Sequence, residues 1–400
     1  MKRVLVNDRP LHAAQTGVAM YLRNVLAHWP DDAKVELEGF WEHRLKRKSK
    51  WPARQDASAN AAPTGNEPLE PIELAPLSTL SMSGKVPRRP SFFKRWLLTG
   101  GHAIAFRMAA KPKRYAATWE PNHLAIPSRL PSVATMCDLS VLEHPQWHPA
   151  DRVRHWEKHA PRAVERTKRW IAISQFTADR MTALLGIPPQ KIDMIPLAAR
   201  PMAYPAREQA TALLRAAGVT KPYFLALGTI EPRKNLSILL DAWSQLAKET
   251  RGSAQLIFAG GAGWGDAANW RSLVDHEVAG EVMTTGYVSH RAAAALLAGA
   301  TALLVPSRYE GFGLPLLEAM AAGTPVICSD IPVFAEVAGD AAGLVDATDP
   351  KPWTDAINRA CQDETWIRML RESGRSRNAL FTWQETASRH ARVLEAIAGT

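Results

Sequence analysis

The second half of the chain repeats one pattern, a short apolar run followed by an amphipathic stretch. Runs with the length of buried strands occupy residues 223–228 (YFLALG), 255–260 (QLIFAG), 282–286 (VMTTG), 302–307 (ALLVPS) and 325–329 (PVICS). Helical patterns follow them at residues 235–248, 267–279, 290–299, 314–322 and 332–338. Strands that alternate with helices at this spacing predict a parallel sheet with helices on both faces.

The first half shows the same alternation less regularly. Strand-like runs lie at residues 3–6, 133–136, 170–173 and 192–196, and a helical pattern spans residues 151–168. We therefore predict an α/β protein of two Rossmann-like domains that face a central cleft. The segment Pro201–Arg207 contains two prolines and precedes a new helix. The N-terminal domain is thus expected over residues 1–200 and the second domain over residues 201–378.

Two ranges interrupt the first half. Residues 41–91 begin with a cluster of Lys and Arg, become rich in Ala, Pro and Ser, and predict a long loop. Residues 92–110 recover a helical pattern in which Lys and Arg flank Phe93, Trp96 and Leu97. This pattern fits an interfacial helix that touches anionic lipid, but an ordinary core helix is slightly favoured because such an apolar stripe is common.

The net charge of +10 belongs to the first quarter of the chain. Residues 1–114 contain twenty Lys and Arg against ten Asp and Glu, whereas residues 115–400 contain twenty-nine of each kind. Such an excess of positive charge favours an anionic partner, namely a membrane surface, nucleic acid or a phosphorylated substrate. The alternative is that the charges form a solvated basic face without a partner. Nucleic acid is the least favoured partner because the sequence has no motif of a sheet with aromatic and basic residues.

Cysteine usage and apolar runs indicate the compartment. Cys137, Cys328 and Cys361 are far apart and show neither a disulfide framework nor a metal-ligand spacing. The N-terminus lacks the apolar core of a signal peptide, and the longest uncharged run, residues 292–307, is too short for a membrane span. We expect a cytoplasmic protein whose basic first quarter is available for peripheral binding to the inner face of the membrane.

The loop at residues 228–235 reads GTIEPRKN and follows a predicted strand. Gly228 allows a sharp turn at the strand end, and Arg233 and Lys234 stand just before a predicted helix. Two cations beside free helical N–H groups suit a diphosphate, although adjacent Arg and Lys are also common in exposed turns.

A second loop, residues 307–315, reads SRYEGFGLP and opens a helix that contains Glu318. Backbone N–H groups near Gly313 and Leu314 are expected to point at an anion. Glu310 and Glu318 are predicted to face one crevice from different depths. For Glu318 alone, stabilisation of the helix dipole is the better explanation.

In combination these loops resemble the donor site of the family-four retaining glycosyltransferases, also described as glycosyl transferases group 1. Glu310-GFGLPLL-Glu318 is similar to the family's E-x(7)-E signature, and GTIEPRKNLSILLDAW is similar to its phosphate loop. Three first-half segments also resemble the family pattern: QTGVAMYLRNVL, PSVATMCDLSVLEHPQWHP and IAISQFTADRM. The resemblance covers nearly the whole chain except residues 41–110.

The resemblance implies a GT-B fold, sugar transfer with retention, and no metal. It also implies that a C-terminal helix, residues 379–400, packs back on the first domain. By the same resemblance Glu318 binds the ribose, Arg233 and Lys234 hold the diphosphate, and Glu310 and Asp138 reach the donor sugar. The resemblance also implies that Gly17 lets the backbone approach the phosphates. The loops themselves add Gly228, Gly311, Phe312, Gly313 and Leu314 as donor-binding candidates. Tyr287 and Val288, after a strand that ends in Gly286, could offer a stacking wall and backbone bonds to a nucleobase, and a simple turn explains them equally well.

The expected co-substrate is a nucleotide sugar, with GDP-mannose as the candidate, and no cofactor is expected. The expected reaction moves a hexose to a saccharide or to a lipid-diphosphate-linked acceptor in polysaccharide biosynthesis.

Cys137 departs from the family pattern, because many members have a His at this place, next to the Asp. A thiol cannot copy the donor and acceptor pair of a neutral imidazole. The chain could therefore bind nucleotide sugars with weak or no turnover, and a sugar-nucleotide epimerase or a phosphorylase on the same fold is a further alternative. His123, His144 and His148 are near enough in sequence to replace the missing imidazole.

Overall fold

The computed structural model describes residues 1–12, 17–41, 44–47, 72, 74, 92–261 and 282–399. In the first half, seven strands form one sheet in the order β3-β2-β1-β4-β5-β6-β7. All described neighbours are parallel except β3, which pairs antiparallel with β2. The strands are β1 (Lys2–Asn7), β2 (Val35–Trp41), β3 (Arg44–Arg47), β4 (Ala117–Glu120), β5 (Ser132–Met136), β6 (Arg169–Ala172) and β7 (Ile192–Met194).

Helices cover this sheet, as parallel strands require. Val4, Leu5 and Val6 of β1 are completely buried, which explains why the run is apolar at successive positions rather than at alternate ones. The helices of this half are α1 (Gly17–Ala27), α2 (Phe92–Ala109), α3 (Ser140–Glu143), α4 (Ala150–Arg166) and α5 (Gln175–Leu185).

In the second half, six parallel strands form a separate sheet in the order β10-β9-β8-β11-β12-β13. They are β8 (Tyr223–Leu227), β9 (Gln255–Ala259), β10 (Val282–Gly286), β11 (Ala302–Val305), β12 (Val326–Ser329) and β13 (Gly343–Val345). The helices are α6 (Arg207–Ala216), α7 (Ser237–Ser244), α8 (Lys248–Ser253), α9 (His290–Gly299), α10 (Leu314–Ala321), α11 (Pro332–Ala338), α12 (Pro350–Gln362), α13 (Glu364–Asn378) and α14 (Trp383–Ala398). The predicted α/β fold class is confirmed.

The last helix, α14, returns to the first sheet, as expected. The Lys2 ammonium donates to the carbonyl of Ala398 over 2.8 Å, and the ring of His390 lies 2.6 Å from the Tyr21 hydroxyl. Trp383 at the start of α14 donates to the carbonyl of Ala199 over 2.7 Å. Burial lowers the pKa of His390 to about 4, so that the imidazole is neutral in this contact.

Several boundaries differ from the predicted ones. The helix expected over residues 235–248 ends at Ser244, and a second short helix, α8, follows it. Part of the loop expected over residues 41–91 is strand, because residues 44–47 pair with β2. The rest of that loop, apart from Ile72 and Leu74, and the helix expected over residues 267–279 lie outside the described residues.

Helix α2 has both buried and exposed apolar side chains. Phe106 is buried and packs edge-on against Phe40, with ring centroids 5.7 Å apart. Ile104 and Met108 on the same helix are 61% and 71% exposed. Among the described residues, no helix is both long and apolar enough to cross a bilayer.

Candidate functional site

The loop after β8, residues 228–235, forms one wall of the candidate site and is called here the cation loop. Gly228 has φ +136°, and its carbonyl oxygen would lie 1.8 Å from a Cβ placed at Gly260. A short 3-10 turn, Pro232–Lys234, then brings Arg233 and Lys234 next to each other. Asn235 is buried, and its amide donates to the carbonyls of Pro306 and Ala347 over 3.2 and 2.9 Å. The cation loop is therefore fastened to the end of β11.

Glu310 is the partner of both cations. Arg233 donates to one carboxylate oxygen of Glu310 and Lys234 to the other, and the Ser307 hydroxyl adds a bond of 3.1 Å. Burial alone would raise the pKa of Glu310, but the charges of Arg233 and Lys234 outweigh it and lower the pKa to about 2. The carboxylate is thus ionised at any physiological pH.

Arg233 also binds a second carboxylate that the sequence reasoning missed. Its guanidinium lies 2.6 Å from Glu231, which is 7% exposed. Burial raises the pKa of Glu231, and Arg233 and Lys234 offset only part of that rise. Burial would lower the pKa of Arg233, yet the neighbouring carboxylates Glu310 and Glu231 raise it, so the guanidinium stays charged.

The two halves of the molecule meet at Gly311. Its carbonyl oxygen accepts hydrogen bonds from the hydroxyls of Ser174, over 2.7 Å, and Thr177, over 3.1 Å, both from the first half. A Cβ at Gly311 would lie only 1.8 Å from the carbonyl oxygen of Cys137. A glycine is needed at this position because no side chain fits between the loop and the end of β5. Gly313 follows with φ +103° and precedes α10.

Glu318 lies on α10 and is 4% exposed. Its Oε1 is 3.2 Å from Nε of Arg200, and among the described residues this oxygen accepts no hydrogen bond of acceptable geometry. Burial raises the pKa of Glu318, while Arg200 and Lys234 partly oppose the shift. A buried carboxylate oxygen without a hydrogen bond is suited to accept one from a ligand hydroxyl.

Asp138 approaches the cation loop from the opposite half. Its Oδ1 accepts bonds from the backbone N–H of Ser140, over 3.0 Å, and from the Ser140 hydroxyl, over 2.8 Å. Burial would raise the pKa of Asp138, but the charges of His123 and Arg233 and the bonds from Ser140 lower it. Asp138, Glu231, Arg233, Lys234 and Glu310 form one electrostatic unit, which is called here the cleft cluster.

Two of the three candidate histidines lie close to Asp138. His123 acts on it electrostatically, and His148 lies 3.0 Å from the hydroxyl of Ser140, which binds Asp138. His144 instead stacks on Trp147, with ring centroids 3.9 Å apart, and meets the edge of the Tyr309 ring. Burial raises the pKa of the Cys137 thiol.

The remaining predicted residues have varied surroundings. Tyr287 is 68% exposed, and Val288 and Leu314 are half-buried. Phe312 is 3% exposed and packs edge-on against Phe381, so its backbone rather than its ring is available to a ligand. Gly17 begins α1 with open space around its Cα, and residues 13–16 before it lie outside the described residues.

Sequence reasoning missed Glu231, Ser307, Asn235 and Arg200. The first three belong to the two loops already singled out, and a polar residue beside two cations is a signal that could have identified Glu231. Arg200 gives no such signal, because its contact with Glu318 joins residues that are distant in the sequence.

Comparisons with known proteins show the family and the fold. The family profile described as glycosyl transferases group 1 matches residues 215–377. O-antigen chain mannosyltransferase B of Escherichia coli is 34% identical over 262 residues, which are 65% of this chain and 69% of that protein. Sucrose-phosphate synthase from Thermosynechococcus elongatus superposes over all of both chains with a TM-score of 0.71 and 21% identity. The Anabaena protein HepE in complex with UDP-glucose superposes with a TM-score of 0.68 and 15% identity, over 99% of this chain and 100% of that one.

Proposed function

The chain belongs to the glycosyl transferases group 1 family, and from this we propose that it transfers mannose, with retention and without a metal, from a nucleotide sugar. The proposed acceptor is a saccharide or a lipid-diphosphate-linked saccharide in polysaccharide biosynthesis. The observation that carries the proposal is the cleft cluster, in which Arg233 and Lys234 share the carboxylate of Glu310.

Arg233 and Lys234 are proposed to hold the donor diphosphate. Cations that are fixed before the reaction stabilise the charge of a departing nucleotide without the cost of reorganisation, and they replace a divalent ion in this role. A diphosphate beside these residues competes with Glu310 for the same N–H donors. We expect Glu310 then to accept hydrogen bonds from hydroxyls of the transferred sugar.

The other proposed donor contacts follow from placing the diphosphate beside Arg233 and Lys234. Glu318, whose Oε1 lacks a hydrogen bond among the described residues, is proposed to bind the ribose hydroxyls. The backbone of Gly311 to Leu314 at the start of α10 is proposed to face the phosphates, with Gly17 on the opposite side. Gly228, Tyr287 and Val288 at the ends of β8 and β10 are proposed to contact the nucleoside. Asp138 is proposed to reach the sugar from the first half.

Mannose is proposed because the relative named above is a mannosyltransferase, and GDP-mannose remains the candidate donor from the sequence resemblance. UDP-glucose, the ligand of HepE, is the natural competitor. Titration calorimetry and donor-hydrolysis assays with GDP-mannose, GDP-glucose, UDP-glucose and UDP-N-acetylglucosamine test the donor. Preferred binding and hydrolysis of GDP-mannose is expected, and equal or better use of a UDP sugar would refute the choice.

Two further assays test the remaining parts of the proposal. Activity is expected to survive EDTA, and a complete loss that manganese restores would contradict a reaction without metal. The anomeric configuration of the product, read by NMR, is expected to match that of the donor.

Binding without turnover is the second candidate function, and Cys137 is the observation that favours it. If GDP-mannose binds but is neither hydrolysed nor transferred to any saccharide tested, this second function replaces the first. The same product analysis would detect an epimerised sugar nucleotide or a sugar phosphate, which are the products of the epimerase and phosphorylase alternatives.

Peripheral binding to an anionic membrane at the cytoplasmic face is proposed as the route to a lipid-linked acceptor. It is supported by the basic face, defined here as exposed Arg107, Lys111, Arg129 and Arg166 around a cavity of ≈520 Å³, together with the exposed Ile104 and Met108. Cations beside apolar side chains are the combination that interfacial binding requires.

A further inference from the structure

A line of polar side chains leads from the surface of α4 to Asp138. Nη1 of Arg152 lies 3.4 Å from Nδ1 of His148, and Nε2 of His148 lies 3.0 Å from the Ser140 hydroxyl. The Ser140 hydroxyl in turn donates to Asp138 over 2.8 Å. Ser140 begins α3 and is 1% exposed, and His148 follows the short turn Pro145–Trp147.

The distances in this line favour one arrangement of the hydrogens. A serine hydroxyl has a single hydrogen, and here it is directed to the carboxylate of Asp138. The Ser140 oxygen must therefore accept from His148, so Nε2 of His148 carries a hydrogen. Nδ1 then has a lone pair, which faces a guanidinium N–H of Arg152. Protonation of Nδ1 would instead place two donors against each other.

The surrounding charges favour the same neutral form of His148. Burial lowers its pKa, and electrostatic interactions with Arg152, Arg233 and His144 lower it further. Asp138 opposes these effects but does not outweigh them. His148 is thus a neutral donor at pH 7, and acid brings the protonated form that disturbs the contact with Arg152.

We propose that His148 is a positioning residue for the transfer reaction: through Ser140 it holds Asp138 as an oriented, ionised carboxylate that faces Arg233. The inference rests on the proposed function, in which Asp138 is the group that reaches the sugar from the first half. Residue 137 is a cysteine, and in this chain an imidazole is linked to Asp138 from the turn after α3 instead.

Kinetics over a range of pH test this role in three variants. His148→Leu removes the donor, His148→Gln keeps an N–H near the position of Nε2, and His159→Gln changes an exposed histidine of α4 as the matched control. We expect His148→Leu to lower kcat about tenfold or more with little change in donor affinity, since the bond chain ends on a charged group. His148→Gln is expected to recover most of kcat. Because glutamine does not titrate, the fall of kcat at low pH that protonation of His148 causes in the wild type should be absent in this variant. A wild-type kcat in His148→Leu, or an equal loss in both His148 variants, would overturn the proposal.

NMR of protein with ¹⁵N-labelled histidine gives a readout that does not depend on activity. The His148 signals, assigned with the His148→Gln variant, are expected to show a protonated Nε2 and an unprotonated Nδ1 at pH 7. Ser140→Ala is expected to remove the preference for this tautomer. An imidazolium or an averaged tautomer in the wild type would contradict the hydrogen-bond chain.

The outcomes separate this inference from the function on which it rests. If the wild-type chain neither binds nor hydrolyses any nucleotide sugar, both are refuted. If the donor binds and reacts while His148→Leu retains wild-type kcat, only the positioning role is refuted.

Discussion

Arginine and lysine side chains are buried in one region of this molecule and exposed in another. In the cleft cluster, Arg233 and Lys234 are largely buried and bind the carboxylates of Glu231 and Glu310. On the basic face, four cations lie exposed around a cavity and beside two exposed apolar side chains. Buried charges depend on their partners for stability, whereas exposed charges act mainly on what approaches from outside. The difference indicates which substitutions should disturb the fold and which should change only binding.

The largest expected effect comes from removing the cations of the cleft cluster. Arg233→Ala with Lys234→Ala leaves the buried Glu310 carboxylate with the Ser307 hydroxyl as its remaining described partner. Breaking a buried ion pair typically costs about 3–5 kcal/mol, so the free energy of unfolding should fall by about that amount. Binding of the nucleotide sugar should weaken at least about tenfold. Urea unfolding and titration calorimetry measure the two quantities.

A third substitution separates these two consequences. Adding Glu310→Gln removes the unpaired charge, and it should restore part of the stability but none of the binding. If the triple variant binds the nucleotide sugar like the wild type, the cations do not hold the diphosphate.

Acid should act on the cleft cluster through Glu310. Its pKa is about 2 in the folded chain against 4.5 for the unpaired group, so its contribution to stability is complete above about pH 4.5. That contribution is lost as the pH falls from about 4.5 towards 2, and the full loss is about 3 kcal/mol. Glu231 and Glu318 have raised pKa values and act in the opposite direction. Unfolding free energies between pH 6 and pH 3 should therefore fall less steeply in Glu310→Gln than in the wild type, and parallel curves would contradict the ion pairs.

Glu318 gives a smaller and more selective test of the same region. Glu318→Ala removes a buried carboxylate whose described ionic partner, Arg200 at 3.2 Å, is partly exposed and can be solvated. The stability should therefore fall by less than in the variant of Arg233 and Lys234. Donor affinity should nevertheless fall about tenfold, because bonds from the ribose to a charged acceptor are lost. Glu336→Ala, in which a carboxylate that caps α5 is removed, serves as the control for a change outside the donor site. Equal donor affinity in both variants would exclude Glu318 from the ribose site.

The contacts that the sequence could predict are those between neighbours in one loop. Glu310, Gly311 and Gly313 lie within four residues, and Arg233 and Lys234 are adjacent, so their shared placement follows from a strand that ends in a turn. The link between Arg233 and Glu310 depends on the strand order, in which β8 and β11 are neighbours whose carboxyl ends meet at one edge, and the sequence patterns did not predict that order.

The contacts that the sequence could not predict depend on how the halves are packed. The bonds from Ser174 and Thr177 to the Gly311 carbonyl join the first half to the second, and no local pattern encodes them. The strand β4 was missed for a different reason. It has four residues, two of them polar. Its buried Glu120 carboxylate accepts a hydrogen bond from the side chain of Asn7 on β1. A period of two is not visible in so short a run.

The basic face gives the smallest effect for each substitution and completes the comparison with the cleft cluster. Each cation near an anionic surface contributes about 1 kcal/mol, and the interaction is screened by salt. The double variant Arg129→Gln with Arg166→Gln should therefore weaken binding to vesicles of phosphatidylglycerol about tenfold or more, without loss of stability. The double variant Ile104→Ser with Met108→Ser should also weaken vesicle binding, because apolar insertion is lost. Lys351→Gln with Arg359→Gln changes two exposed cations of α12 and should leave vesicle binding unchanged. Co-sedimentation at low and high salt measures the effect, and equal binding to neutral vesicles, or none at low salt, would show that the basic face is only solvated. Because these side chains are exposed, any loss of binding in these variants should occur with wild-type unfolding curves, in contrast to the variants of Arg233 and Lys234.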